Sequence, residues 1–396
     1  MTGRDGRLGV ALVGHGFMGA AHSQALRVAP RFFDLPLAPA MHVLVGRDAA
    51  STRAAADRWG WSSSSTDWRA AVEDPEVDLV DVCTPGASHA EIAIAALEAG
   101  KHVLCEKPLA PTLDEAERMA AAARAARGRG VHAMVGFSYR RVPALTFARD
   151  LVAAGRIGEV RQVRAPYLQD WLVDADSPLT WRLDASVAGS GALGDIGAHA
   201  IDAITFVTGL AVTEVSGTLH TAVTERPLLD TATGTSSLGG RAGVGRGPVT
   251  VDDAAFVTAR LEGGTPAVVE ATRVATGRKN ALRLEVSGTR GALAFDLERM
   301  NELEFLDATD PAGEQGFRRI QVTEPEHPYA AAWWPTGHGL GYEHAFTHQL
   351  RDLVVDLAEG RAPSPSFEDG LAVQRVLDAV ERSHADRSAW TEVARG

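Results

Sequence analysis

The sequence predicts an α/β protein, with an N-terminal Rossmann-type doubly wound parallel sheet followed by a C-terminal α/β domain whose open sheet is largely antiparallel. Three observations carry this. Short β-rich runs alternate with alanine-rich helical stretches through the first third of the chain, and strands separated by helices build βαβ units with right-handed crossovers. A glycine-rich hexapeptide lies between the first strand and the first helix. Beyond about residue 139, strands follow one another without helices between them, as in an antiparallel sheet with helices on one side. A chain of 396 residues exceeds one ordinary core, and the change of texture divides it into 1–137 and 138–396.

In order, residues 8–13 read as a strand, 20–28 as a helix, 41–45 as a strand and 49–59 as a helix. Residues 77–83 are strand-like, and 90–99 have the 3.6-residue spacing of a helix. A short strand at 102–105, a helix at 113–126 and a strand at 131–135 close the series. In the second part, helices at 144–154 and 197–207 accompany strands at 160–166, 214–219, 254–261, 267–272, 282–287, 291–296 and 302–306. Helices return at 342–359 and 370–384, and the Gly- and Ser-rich stretch 234–248 reads as a mobile surface loop.

The charge balance, 39 basic against 51 acidic residues for a formal −12, repels a phosphate backbone, and no basic stripe compensates. Nucleic acid is therefore excluded as a partner. No stretch approaches the ~20 apolar residues of a membrane span, and the first apolar run begins at Leu8 without a leader pattern. Cys83 and Cys105 are the only cysteines; they form no disulfide framework and suit a reducing compartment. The expectation is a cytoplasmic protein.

Gly14-His15-Gly16-Phe17-Met18-Gly19 is a G-x-G-x-x-G between a strand and a helix, the context in which it marks a dinucleotide site. Gly14 permits the tight turn, Gly16 lets main chain approach the pyrophosphate, and Gly19 lets helix and strand pack closely. At the end of the second strand, Gly46-Arg47-Asp48 offers Arg47 for a 2′-phosphate and Asp48 for a ribose hydroxyl. The expected cofactor is NAD(P), with NAD and NADP both open.

At Cys83-Thr84-Pro85, His89, Gly100-Lys101-His102-Val103 and Glu106-Lys107-Pro108 the chain resembles the glucose–fructose oxidoreductase, inositol dehydrogenase and rhizopine-catabolism (Gfo/Idh/MocA) family. Gly194-Asp195-Ile196-Gly197-Ala198-His199 matches its second motif. Gly86 departs from the pattern, which more often has Asn there, and a polar contact to the ribose is lost with it. Residues 167–172, 181–183, 188–191 and 275–280, with Trp333-Trp334-Pro335, resemble the branch that includes levoglucosan dehydrogenase. The resemblance implies an NAD(P)-dependent oxidoreductase of sugars, anhydrosugars or cyclic polyols, assembled as a homodimer or homotetramer. It assigns cofactor contacts to Gly14, Gly16, Phe17, Met18, Gly19, Arg47, Thr84, Pro85, His89, Glu106, Lys107 and Arg182.

Oxidation of an alcohol carbon needs a base for the hydroxyl proton. Lys107 follows a parallel strand at the ligand edge of the sheet and is the candidate acid–base group. Asp195 and His199, four residues apart, would share a helix face; the resemblance makes His199 a proton-transfer or substrate-orienting group and Asp195 a holder of a substrate hydroxyl. Trp181, Trp333, Trp334 and Tyr139 are candidates for an aromatic wall against a sugar ring. Gln169, Asp170, Arg182, Asn280 and His338 are candidates to bind hydroxyls. No group has convincing metal spacing, since His344 and His348 lack a third ligand, and a metal-independent reaction is expected. A ligand sensor on the same fold is the competing function, and the presence of Lys107, Asp195 and His199 together favours catalysis. A third reading keeps the cofactor tightly bound and acts on glycosides by transient oxidation. Strands around 256–261 and 268–272 predict an uncovered face through which copies associate.

Overall fold

The computed structural model describes residues 6–230 and 240–394. Strand β1 (Arg7–Val13) is buried at every position after its first, as a strand covered on both faces must be. It is followed by α1 (Phe17–Phe32), β2 (Ala38–Val45), α2 (Ala49–Trp59), β3 (Ser63–Ser65), α3 (Trp68–Glu73), β4 (Leu79–Val82), α4 (His89–Glu98), β5 (His102–Cys105), α5 (Leu113–Arg127) and β6 (Ala133–Val135). The six strands pair in parallel in the order β3-β2-β1-β4-β5-β6. The order reverses at β1, so a crevice opens beyond the carboxyl ends of β1 and β4.

Two of these elements were not anticipated. β3 consists of three serines without apolar alternation and owes its place to pairing with β2. α3 starts where the Asp67 carboxylate accepts from the backbone N–H groups of Arg69 and Ala70. Helix α1 begins three residues earlier than its apolar periodicity indicated and runs on through Pro30. That proline lies in the last turn, so the one i→i−4 bond it removes falls at the helix end rather than in its middle.

The rest of the chain comprises α6 (Pro143–Ala153), β7 (Val160–Leu168), α7 (Ala185–Ala188), α8 (Ala198–Thr208), β8 (Val212–His220), β9 (Glu225–Leu229), β10 (Ala242–Pro248), β11 (Ala254–Leu261), β12 (Pro266–Thr272), β13 (Ala281–Gly288), β14 (Gly291–Asp296), β15 (Glu302–Asp307), β16 (Arg318–Gln321), α9 (Tyr342–Ala358), α10 (Phe367–Ala385) and β17 (Thr391–Glu392). Nine strands form one sheet in the order β16-β15-β14-β13-β7-β12-β11-β8-β17, antiparallel except for β7 with β12. β11 alternates buried and exposed residues along most of its length. The inner face of the sheet packs under helices, α8 over β7, β12 and β13 and α10 over β8, while Phe256 and Val268 on the outer face are each 49% exposed.

The expected loop at 234–248 is corrected in part. Ala242–Pro248 is strand β10, paired antiparallel with β9; residues 234–239 lie outside the described residues. The hairpin is anchored by Arg226, fully buried, which donates to the carbonyls of Asp174 and Leu172 at 2.7 and 2.8 Å. The last helices return to the first sheet: α9 packs on α1, α10 on α5, and Val135 N–H donates to Pro365 O at 3.0 Å. One apolar core therefore runs from Val82 through Leu109 to Ala271 and Leu282, which holds the two sheets at a fixed angle about the crevice.

Candidate active site

The fingerprint glycines answer different steric demands. Gly14 has φ +103°, and a Cβ there would approach the Cys83 carbonyl oxygen to 2.7 Å. A Cβ at Gly19 would lie 2.1 Å from Gly14 O, so helix and turn meet main chain to main chain. Gly16 has nothing within 4 Å of its would-be Cβ, and it precedes α1 without a side-chain cap. Open space above Gly16 and free N–H groups at the start of α1 fit a pyrophosphate. Phe17 and Met18 continue from this turn into a cavity of about 360 Å³.

Glu106, Lys107, Gln169, Arg182, Asp195, His199 and Asn280 all line that cavity. Lys107 follows β5, and its Nζ donates to Asp195 O at 2.7 Å, with Asp195 Oδ1 at 3.4 Å. Asp195 sits not on a regular helix but on a π-helical turn, Leu193–Gly197, that leads into α8. Such wide turns recur at functional sites. This one is set by Asp252, a buried residue that sequence reasoning missed, whose carboxylate accepts from Gly191 N and Leu193 N at 2.7 and 2.8 Å. A Cβ on Gly191 would fall 1.7 Å from Asp252 O, so the turn requires glycine.

Three cations surround Asp195: Lys107, Arg182 (3.8 Å) and Arg273 (3.8 Å). Burial raises the Asp195 carboxyl, but the three positive charges outweigh it and hold the group at about 2. Arg273 is fully buried behind the site and also escaped sequence reasoning, since a lone arginine ending a strand gives no local signal. Burial, reinforced by the Lys107 charge, drives His199 well below the usual histidine range. Its ring stacks on Tyr139 with centroids 4.4 Å apart. The imidazole has no hydrogen-bond partner among the described residues, so it is available to a ligand in the cavity.

A chain of polar groups forms the opposite wall. The hydroxyls of Tyr139 and Tyr167 bond at 2.9 Å, and Tyr167 and Gln169 both donate to Asn280 Oδ1 at 2.7 Å. Trp171 Nε1 donates to Gln169 Oε1 at 2.9 Å. Tyr167, Trp171, Tyr342 and Phe346 are aromatic residues of the lining that sequence reasoning did not name as candidates. Asp170 is engaged elsewhere, accepting from Lys279 Nζ at 2.6 Å.

Several expected site residues lie outside the cavity lining. Trp333 and Trp334 do not line the cavity; they pack on Phe32 at 4.4 and 5.4 Å, filling space created by the long α1 and the segment after it. His338 is exposed, with Nδ1 at 2.8 Å from Pro335 O, and is also absent from the lining. Trp181 stands just outside, beneath the Arg182 guanidinium at 4.3 Å. His89 is buried, its nitrogens directed at the carbonyls of Thr84, Pro108 and Leu109; it ties the loops after β4 and β5 together rather than facing a ligand. Thr84 and Pro85 begin the loop after β4, and Arg47 is exposed after β2, all on the crevice edge. A Cβ at Gly86 would come within 3.3 Å of the Pro111 ring and 3.4 Å of Val187 O, leaving little room for asparagine.

Beneath the cavity, His22 of α1 bonds Asp81 through Nδ1 at 2.8 and 2.9 Å and Glu106 through Nε2 at 3.1 Å. Burial opposes its charge, but Asp81 beside it raises the imidazole well above the ordinary value, so it donates from both nitrogens. His22, Asp81 and Cys83 could in principle ligate a metal, their donor atoms lying within 4.8 Å of one another. Here they are satisfied by mutual hydrogen bonds, and burial pushes the Cys83 thiol up. His344 and His348 are likewise occupied, His344 accepting from Gly341 N and His348 from Trp333 Nε1.

Residues 8–137 match the oxidoreductase family with an NAD-binding Rossmann fold, and residues 145–294 match the GFO/IDH/MocA C-terminal domain. The levoglucosan dehydrogenase of Pseudarthrobacter phenanthrenivorans is 43% identical over 98% of each chain. An oxidoreductase domain protein from Kribbella flavida superposes with a TM-score of 0.93 at 61% identity, over 98% of this chain and 100% of the other. A levoglucosan dehydrogenase in complex with NADH and levoglucosan gives 0.91 at 41%, over 98% and 100%.

Proposed function

The chain belongs to the Gfo/Idh/MocA family of NAD-binding oxidoreductases, and on that premise we propose that it oxidises a secondary hydroxyl of a sugar, anhydrosugar or cyclic polyol, or reduces the matching ketone. The convergence of Lys107, Asp195 and His199 on one cavity beside the glycine turn carries this reading. A nicotinamide dinucleotide held at the glycine turn would accept the hydride in oxidation and, in its reduced form, donate it in reduction. Lys107 Nζ removes the hydroxyl proton in oxidation and returns it in reduction. Asp195, ionised throughout the working pH range, accepts from both the lysine and a neighbouring substrate hydroxyl. Neutral His199 offers a donor or acceptor to the same substrate, and Gln169 and Asn280 read hydroxyls on the far side of the ring. A sensor would need none of this acid–base set.

The test is a screen of levoglucosan, 1,5-anhydrosugars, free hexoses and inositols with NAD and NADP, following reduced-nicotinamide absorbance. Turnover of a pyranose or cyclitol is expected. Tight cofactor binding with no turnover on any of them would favour the sensor. Reduced-nicotinamide absorbance in the protein as purified would favour the tightly held cofactor.

The outer face bearing Phe256 and Val268 is the proposed association surface between copies, since half-exposed apolar residues on an open sheet gain by mutual burial. Light scattering at micromolar concentration should give a dimer or tetramer mass, and Phe256→Lys should lower it. Among the described residues no helix is long and apolar enough to cross a membrane; a cytoplasmic site of action is proposed from the two free thiols.

A further inference from the structure

The three cations about Asp195 are not equivalent. Lys107 and Arg182 line the cavity and meet whatever occupies it. Arg273, the residue after β12, is fully buried and takes no part in the lining. Its Nη1 lies 3.8 Å from Asp195 Oδ2, and its Nη2 donates to Asp252 O at 2.8 Å. Its Nε has no acceptor among the described residues, so hydrogen bonding alone does not account for a charge that is costly to bury. Burial pulls the guanidinium below its usual range, and of the charges opposing this Asp195 comes first, ahead of Asp252 and Asp253. Those two carboxylates are engaged with main chain. Asp252 accepts from Gly191 N and Leu193 N, and Asp253 Oδ2 accepts from Ala222 N and Val223 N.

A carboxylate beside an ammonium holds the proton on the nitrogen. Left to themselves, Lys107 and Asp195, 3.4 Å apart, would keep the lysine charged, and a charged lysine cannot accept a hydroxyl proton. In each oxidation Lys107 takes that proton and then gives it up to solvent, so its positive charge beside Asp195 comes and goes. A guanidinium does not lose its proton, and one buried behind the carboxylate cannot turn away to solvent or ligand. The remaining groups facing the pair do not compete with it. His199 of α8 is held neutral, and burial keeps the hydroxyls of Tyr139, Tyr167 and Tyr342 protonated. Glu106, next to Lys107 in the chain, directs Oε1 at the protonated His22, 3.1 Å away.

We propose that Arg273 is a positioning residue for the reaction: as the permanent counter-ion of Asp195 it stands in for the ammonium charge whenever Lys107 is neutral, and so lets Lys107 release its proton as well as take one. Arg182 shares the task only while no ligand draws it away. The inference rests on the acid–base reading of Lys107 and adds what makes that lysine able to act as a base.

The chain has three lysines, Lys101, Lys107 and Lys279, so full-length protein labelled with carbon-13 at lysine Cε gives three resonances. The one missing from Lys107→Met belongs to Lys107, and its titration reads the proton without any substrate. In Arg273→Gln the midpoint should rise by about one pH unit, because Asp195 is left with less opposing charge. Asp195→Asn should lower it, and the double variant, which removes one charge of each sign, should return it toward the wild-type value. An unchanged midpoint in Arg273→Gln overturns the proposal. Should that variant fail to fold, a double variant that titrates like Asp195→Asn alone overturns it instead. On levoglucosan, or whichever screened pyranose or cyclitol turns over, Arg273→Gln should oxidise roughly tenfold more slowly near neutral pH and recover in alkali. The reverse reduction needs Lys107 protonated and should keep its rate. Equal losses at every pH and in both directions would make Arg273 a structural prop and overturn the proposal. Shifted midpoints without turnover of any sugar or cyclitol would uphold the role of Arg273 and sink the dehydrogenase reading.

Discussion

At the end of β1 the molecule offers main chain to its ligand; at the turn before α8 it offers side chains. Around Gly14, Gly16 and Gly19 any added carbon either strikes a carbonyl or enters ligand space. Around Asp195 the working groups are a carboxylate, an ammonium, two guanidinium groups and an imidazole, all partly or wholly buried. The first half tolerates no volume, the second no change in charge. The two halves also treat histidine oppositely: His22, between Asp81 and Glu106, is held protonated, while His199, near Lys107, is held neutral. Burial disfavours the charged ring at both positions; Asp81 beside His22 overturns it, while at His199 the Lys107 charge reinforces it.

The largest effect that separates the halves is expected at Lys107. Lys107→Ala should lower kcat by roughly 10²–10⁴, the usual contribution of general acid–base catalysis, with dinucleotide affinity changed far less. Stopped-flow rates and cofactor titrations on one preparation measure both. Near-normal turnover would move the acid–base role to His199.

His22→Ala should cost about 3–5 kcal/mol of stability, because it strands two buried carboxylates. The sign of its pH dependence follows from the raised imidazole. The stabilisation is fully present below the unfolded value of about 6.5 and is lost as pH rises through the higher folded value. Denaturant midpoints of wild type and variant should therefore converge toward alkaline pH, and a constant gap would show that His22 acts by packing alone.

Within the fingerprint the comparison sharpens further. Gly19→Ala should destabilise the free protein by about 1–3 kcal/mol, as overpacking against Gly14 O forces main chain to shift. Gly16→Val has room in the free protein and should leave its melting temperature unchanged while weakening dinucleotide binding. Equal losses of stability in both variants would erase the distinction.

The smallest effect is expected at His199. His199→Asn removes one hydrogen-bonding contact to substrate and should reduce kcat/KM roughly tenfold. The pH at which the rate is half-maximal should not move, since His199 is already neutral at working pH. A displaced acid limb would instead make His199 the titrating group.

Local sequence was informative wherever a residue's role depends on its immediate neighbours. The βα alternation, the glycine hexapeptide and the Glu-Lys-Pro after β5 each lie within one strand–turn–helix unit, and so were readable along the chain. Strands β11 and β14 have the bounds that their alternation indicated. Serine strand β3 was not readable, because its reason for existing is the neighbouring edge of β2. The tryptophans at 333 and 334 looked like a sugar-binding wall, but only packing reveals that the α1 extension needed filling.

By itself, then, the sequence determined the fold class, the dinucleotide turn and the candidate acid–base lysine, since glycine spacing and hydrophobic period act over a few residues. Only the tertiary structure decided which charges meet. Asp252 shapes the turn that carries Asp195 from 57 positions away, Arg273 reaches the same carboxylate from another strand, and His22 joins β4 to β5 from α1. Coulomb forces and hydrogen bonds act over a few ångströms of space, whatever the separation along the chain. The protonation states of Asp195, His199 and His22 could not exist before the two sheets closed on one another.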